Sequence, residues 1–261
     1  MPSLEPGQEA GNLVAPTSPS SIVDRSATSG LSSYQNWRGI EGPEDRRRLT
    51  SNQSVHLGAA LSGTSKERLI RTASRLFHVR GYSSVGIQEL CETAGVRRGS
   101  FYYFFPSKEA LASAVLDYEE MDLLEQIFKP AFENGGEPLG RFDHFLRRLH
   151  HYHVARTEAE GGDVGGCPIS NLGHEVAGHH PKLRIQAEAI LDRFAHIFQA
   201  ALEEARSLGH IDSNVDTEQS AERIRCFVQG LLETAKLRGD PDIIPQLGVD
   251  VASLCVKDSS R

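Results

Sequence analysis

The chain has 261 residues, with 28 Lys and Arg against 35 Asp and Glu, for a formal net charge of −7. Its length fits one or two domains, and 39% hydrophobic residues supply a packed core, which excludes disorder of the whole chain. No apolar run approaches the ~18 residues of a membrane span, the N-terminus lacks the basic-then-apolar layout of a signal peptide, and four cysteines without a CxxC pair exclude a disulfide scaffold or zinc ribbon.

Residues 1–62 hold 5 basic and 6 acidic side chains, and Ser, Gly and Pro supply 22 of the 62. No helical or strand period persists there, so a disordered extension is expected, with Arg46, Arg47 and Arg48 as a solvated cluster in it or, alternatively, a contact to DNA phosphates. Residues 63–108 reverse the overall charge: eight basic against three acidic side chains, a net of +5. Residues 109–261 carry a net of −11. A small basic block on a large acidic body is the asymmetry of a DNA-binding head attached to another domain.

From Lys66 onward almost every segment has a 3.6-residue period. Ile70, Ala73 and Phe77 mark a first helix that stops at Gly81. Ile87, Leu90, Cys91 and Ala94 mark a short second one, ended by Gly95. A third runs from Arg97 to Phe105 and stops at Pro106. Ser107 caps a fourth that continues toward Phe128, before Pro130 and the Asn134-Gly135-Gly136 cluster. Phe142, Phe145, Leu146, Leu149 and Tyr152 form the next stripe. After the Gly-rich stretch 161–166, a short helix covers about 169–177. Pro181 then opens a long helix that ends at Gly209, and Asp216 or Thr217 caps another. The last runs from about Asp242, with Ile244, Leu247, Val251, Leu254 and Cys255 on its stripe. Nothing alternates with period two, so the fold class is all-α.

Two short helices around Ala94-Gly95-Val96, inside the basic block, predict helix-turn-helix geometry, with Gly95 supplying a positive φ. The second helix would enter the major groove. Its sequence, Arg97-Arg98-Gly99-Ser100-Phe101-Tyr102-Tyr103-Phe104-Phe105, is too aromatic for an ordinary surface helix. Phe101 and Phe105 would pack inward, while Tyr102 and Tyr103 offer hydroxyls to phosphates or rings to thymine methyls. Arg97 and Arg98 would reach phosphate or guanine, Gly99 would allow close backbone approach, and Lys108 would favour phosphate at the start of the fourth helix.

Residues 66–111 closely resemble the DNA-binding domain of the TetR family of bacterial transcriptional regulators. The resemblance rests on Arg68-Leu69-Ile70 through Leu76-Phe77, Arg80-Gly81-Tyr82, Leu90 through Val96, Gly99-Ser100-Phe101-Tyr102 and Phe105 through Leu111. Three positions depart from it. Val85-Gly86 replaces the usual hydroxyl pair, leaving Gly86 as cap and Ser83 or Ser84 for phosphate. Arg97 replaces the usual Ser, and Phe104 stands where His or Tyr is frequent.

The chain thus divides into the extension 1–62, read from composition, a DNA-binding head 63–117, and, as the resemblance implies, a helical effector-binding and dimerisation domain 118–261. The last two long helices would pair with their twins in a homodimer on a near-palindromic operator; the alternative is packing within one chain. Candidates for a small-molecule effector site between the middle helices are Phe142, Phe145, Leu149, His150, His153, Cys167, Asn171, His174 and Phe198. The stretch Gly166-Cys167-Pro168-Ile169-Ser170-Asn171-Leu172-Gly173-His174-Glu175 resembles a Gly-Cys-x-x-x-Asn-Leu-x-x-Glu motif of one branch of these regulators, some of which sense electrophiles through a cysteine. Cys167 would open a short helix, where a thiolate is favoured; the alternative is a small packing residue.

Nine of eleven histidines lie after position 140, yet no HExxH motif or i,i+4 His pair appears, so neither a metal site nor another cofactor is expected. The leading expectation is a cytoplasmic, ligand-responsive transcriptional regulator, a repressor released from its operator by an effector. It is not expected to be an enzyme or to contact a membrane. Two rival classes remain: an architectural DNA-binding protein without ligand, for which a basic second domain is expected, and a His/Cys-dependent enzyme, which lacks a nucleophile–base–orienter set at recognisable spacing.

Overall fold

The computed structural model describes residues 63–133, 135–162, 164–248 and 251–252. The expected N-terminal extension, Leu254 and Cys255 lie outside them. All the regular secondary structure among the described residues is helical, with no strand. No helix there is long and apolar enough to cross a membrane.

Helix α1 (Ser65–Arg80) starts with a capping box. Thr64 accepts the N–H of Glu67 at 3.3 Å, and the Glu67 carboxylate accepts the N–H of Thr64 at 2.9 Å. Leu69, Ala73, Leu76 and Phe77 bury one face of it. Helices α2 (Ile87–Thr93) and α3 (Arg98–Phe104) flank the turn at Gly95, whose φ is 61°. Val96 is buried between them, and Arg68 Nε donates to the Ala94 carbonyl at 3.1 Å, tying α1 to the turn.

Ser107 caps α4 (Lys108–Leu123) by accepting the N–H of Ala110. The helix does not stop ahead of Pro130. It passes through a π-helical turn, Leu124–Phe128, into a last turn, α5 (Lys129–Phe132). Proline has no N–H for the carbonyl of Gln126 four residues back. Arg148 takes that carbonyl instead, through Nε at 3.0 Å and Nη2 at 2.8 Å.

Helix α6 (Gly140–Glu160) follows, then α7 (Pro168–Val176), α8 (Pro181–Ser207), α9 (Thr217–Arg238) and α10 (Ile243–Gly248). Helices α8 and α9 pack along each other, and α7 lies against α8 and α1. Asp216 caps α9 by accepting the N–H of Gln219 at 2.9 Å. One continuous apolar core runs from Leu69 in α1 to Ala252. Leu247, expected on the last buried stripe, is half exposed.

Candidate functional site

Three features bear on function: the surface of the small helical head, a pocket in the body, and the polar contacts between them.

On the head, Phe101 and Phe105 are buried, which fixes α3 against α1 and α2. The opposite side of α3 is presented outward. Arg97, Arg98, Gly99 and Tyr102 are exposed, Tyr103 is 83% exposed, and Ser100 is half-buried. Arg97 occupies the N-cap position without a side-chain cap bond. Gly86 caps α2 and is open on its outer side. Ser83 and Ser84 are exposed, but the Ser84 hydroxyl already donates to the carbonyl of Arg80 at 2.6 Å. Two candidates turn away from the outer surface. Phe104 packs partly against the core. Lys108 lies with Nζ 4.2 Å from the centroid of the Tyr82 ring, and burial pushes its pKa down.

The body pocket lies between the end of α4, α6, α7, α8 and α9; it is narrow, with about 30 Å³ open to the centre of a water-sized sphere. Of the sequence candidates, Phe145, Leu149, His153, Cys167 and Phe198 line it. Four others do not. Phe142 packs edge-on to Phe132 beside it, and His150 pairs with Asp242 at 2.9 Å. His174 is exposed on α7. Asn171 donates to the Gly165 carbonyl and accepts from Lys236.

Residues that the sequence reading missed complete the wall. Phe128, from the π-helical turn, stacks on Phe194 at 4.4 Å between centroids. Arg225 and Gln229 come from α9. Leu191 and Phe194, on the α8 stripe, and Val228, on the α9 stripe, carried a sequence signal for burial. Cys167 is buried and N-caps α7, its Sγ 3.5 Å from the N–H of Ser170. Burial holds the His153 imidazole pKa down at about 3, helped by electrostatic repulsion from the neighbouring His78, Arg156 and His150.

The head and body meet through polar contacts, buried around Glu119 and His78 and more exposed around Glu175. Arg156 of α6 grips Glu119 of α4 through two bonds of 2.8 Å, and Glu119 also accepts the Ser74 hydroxyl of α1 at 2.6 Å. Burial alone would raise the Glu119 pKa, but Arg156 outweighs it and holds the carboxyl below its usual value. His78 of α1 sits between two acceptors. Nδ1 meets the Glu160 carboxylate at 2.7 Å, and Nε2 meets the Gly166 carbonyl at 3.0 Å. Gly166 immediately precedes Cys167 of the pocket wall. At the other end of α7, Glu175 accepts the backbone N–H groups of Tyr82 at 2.6 Å and Ser83 at 2.7 Å, just before α2.

Residues 69–115 match the family described as "Bacterial regulatory proteins, tetR family", and residues 145–247 match "Tetracyclin repressor-like, C-terminal domain". The chain is 27% identical over 186 residues to the transcriptional regulator AcuR of Cereibacter sphaeroides, covering 71% of this chain and 82% of AcuR. It is 43% identical over 143 residues to the HTH-type transcriptional repressor NemR of Escherichia coli K12, covering 54% of this chain and 69% of NemR. The HTH-type transcriptional repressor DhaR of a Mycobacterium species is 26% identical over 181 residues, covering 69% of this chain and 87% of DhaR. Among solved structures, the regulatory protein TetR from Rhodobacter sphaeroides superposes with a TM-score of 0.62 and 26% identity, over 71% of this chain and 95% of that one.

Proposed function

The chain belongs to the tetR family of bacterial regulatory proteins, and from that premise we propose that it is a repressor whose hold on DNA is relieved by a small molecule in the body pocket. It is a DNA-binding transcriptional regulator. The reading assigns residues 63–117 to the DNA-binding head and 118–261 to the effector-binding and dimerisation domain. Two copies, joined through α8 and α9, would present two α3 helices to a near-palindromic operator in the cytoplasm. Exposed small residues support close approach of a second copy: Ala200 on α8, and Cys226 and Gly230 on α9. NemR and DhaR, both named repressors, support the direction of regulation.

One observation carries the ligand response: α7 touches the pocket at one end and the head at the other. Cys167 lines the pocket, and Glu175, about 12 Å further along the helix axis, holds the turn that leads into α2. The link through Gly166 and His78 runs beside it. A ligand that repositions the Cys167 end of α7 moves the carboxylate that holds the head. It thereby favours dimers whose heads no longer match the operator spacing. A coupling of ~1–3 kcal/mol corresponds to a 5- to 150-fold change in DNA affinity.

Gel-shift titration of the full-length protein against the DNA flanking its gene tests the reading. Operator-selective binding with a steep salt dependence is expected. Equal binding to random DNA would replace the regulator by a general DNA-packaging protein.

A further inference from the structure

The chemistry of the pocket wall narrows what it accepts, given the effector reading above. His153 is 2% exposed and lines the pocket, and neither ring nitrogen has a hydrogen-bond partner among the described residues. A buried polar group of this kind calls for a partner, because burial strips its hydrogen bonds to water without replacing them.

The other polar groups at the wall are already engaged. Arg225 is paired with Glu222, with Nε 2.8 Å from the carboxylate. Gln229 accepts the Ser170 hydroxyl at 2.6 Å and directs its amide N–H toward the Cys167 sulfur at 3.8 Å. Arg156, on the α6 turn after His153, is committed to Glu119 and Glu160. The one cation of the wall, Arg225, is therefore already paired with a carboxylate, which weakens its hold on a carboxylate or phosphate ligand. His153 does not supply another, since its environment keeps the ring neutral.

The remaining surface is apolar, with four phenylalanines, Phe128, Phe145, Phe194 and Phe198, among aliphatic side chains such as Leu149 and Leu191. Their rings are already arranged against one another in stacked, tilted and edge-on geometries. Such a set accepts a further flat ring in offset or edge-on contact, which complements ring quadrupoles better than a puckered aliphatic body does.

The geometry points to an uncharged, planar aromatic ligand carrying one carbonyl or hydroxyl, with its ring among the phenylalanines and its polar atom on His153. Neutral imidazole suits either group, accepting from a hydroxyl or donating to a carbonyl according to tautomer. A site built to hydrogen-bond one such group discriminates strongly against an analogue that lacks it.

The test uses calorimetric titration of the full-length protein with four probes. Acetophenone carries the ring and the carbonyl. Ethylbenzene lacks the carbonyl, benzoate adds a charge, and cyclohexyl methyl ketone replaces the flat ring. Acetophenone is expected to bind at least tenfold more tightly than ethylbenzene or benzoate, and more tightly than cyclohexyl methyl ketone. His153→Phe should reduce its advantage over ethylbenzene below threefold while ethylbenzene still binds. His153→Gln, which restores a hydrogen-bonding group, should recover part of that advantage. Benzoate binding as tightly as acetophenone, an acetophenone preference that survives in His153→Phe, or no binding of any probe would overturn the assignment.

Operator release is measured alongside. Acetophenone that binds as stated without changing operator affinity supports the ligand class and refutes the effector reading. Benzoate that binds more tightly and releases DNA does the reverse.

Discussion

The Glu175 carboxylate accepts the backbone N–H of Tyr82 at 2.6 Å, fastening the C-terminal end of α7 to the turn that opens the helix-turn-helix. The same carboxylate takes the N–H of Ser83, and Lys108 adds a nearby positive charge. Burial raises the Glu175 pKa, but these donors outweigh it and hold it below its usual value. Glu175→Gln keeps the shape and removes the charge. Because the site is exposed to solvent, the loss of head–body attachment should be only ~1 kcal/mol. The ligand response should shrink several-fold while the circular dichroism spectrum is unchanged. Fluorescence anisotropy on operator DNA, with and without ligand, measures it; an undiminished response would remove α7 from the coupling route.

Gly165→Ala should break the parallel link. A Cβ at Gly165 would fall 1.9 Å from Cε1 of the His78 ring. A rigid ring held on both nitrogens cannot give way without leaving Glu160 or the Gly166 carbonyl. Overpacking of this kind costs about 1–3 kcal/mol, and a lowered unfolding midpoint in denaturant would register it.

The buried carboxylates make the protein acid-sensitive. Glu119 and Glu160 have pKa values lowered from 4.5, against the opposing effect of burial. Their folded-state pKa values lie below those of the unfolded chain. Their stabilisation is therefore complete above the unfolded value and is lost as pH falls through the folded values. The melting temperature should change little from these groups between pH 6 and 8 and drop below about 4.5. Glu119→Gln leaves Arg156 with one carboxylate partner fewer in the interior. It should cost about 3–5 kcal/mol at neutral pH and flatten the acid slope.

Arg98 is exposed at the first turn of α3. Side chains at that end of a recognition helix meet base edges. Arg98→Ala should cost ~1–3 kcal/mol of operator affinity and relax preference at one base position, read by binding selection on randomised operators. A uniform loss across all sequences, with the salt slope reduced by about one, would reassign it to phosphate.

Cys167 lines the pocket and is 7% exposed, whereas Cys226 is exposed on α9. In protein carrying Cys226→Ser and Cys255→Ser, slow alkylation by iodoacetamide should add mass at Cys167, fill the pocket and lower operator affinity. Mass spectrometry and gel shift on the same samples connect the two events. Full modification with unaltered DNA binding would leave the thiol as a packing residue.

Local sequence rules carried most of the secondary structure. Periodic apolar positions, the caps at Ser107 and Asp216, and the turn glycine at Gly95 are features within a few residues of one another, and their physics is local. The charge division between residues 63–108 and the rest was equally readable, since it needs only a count. Membership of the pocket was not. His150 and His153 lie one turn apart on α6, yet one reaches Asp242 and the other lines the pocket. Periodicity places both on a buried face and cannot say which neighbour each meets. Phe128 lay inside the expected fourth helix, but the π-helical turn that carries it and the continuation past Pro130, where Arg148 eighteen residues on takes the Gln126 carbonyl, are set by tertiary contacts.

The sequence alone therefore determined an all-helical chain with a basic reading head on an acidic body, because helix period, capping and net charge are properties of short stretches. Tertiary structure alone decided that Lys108 turns inward over Tyr82, and that Glu175 and Gly166 tie α7 and its leading loop to the head. It also decided that five segments close one aromatic pocket around His153. Those relationships join residues about 26 to 93 positions apart or more, and only the packing of helices against one another brings them within a few ångströms.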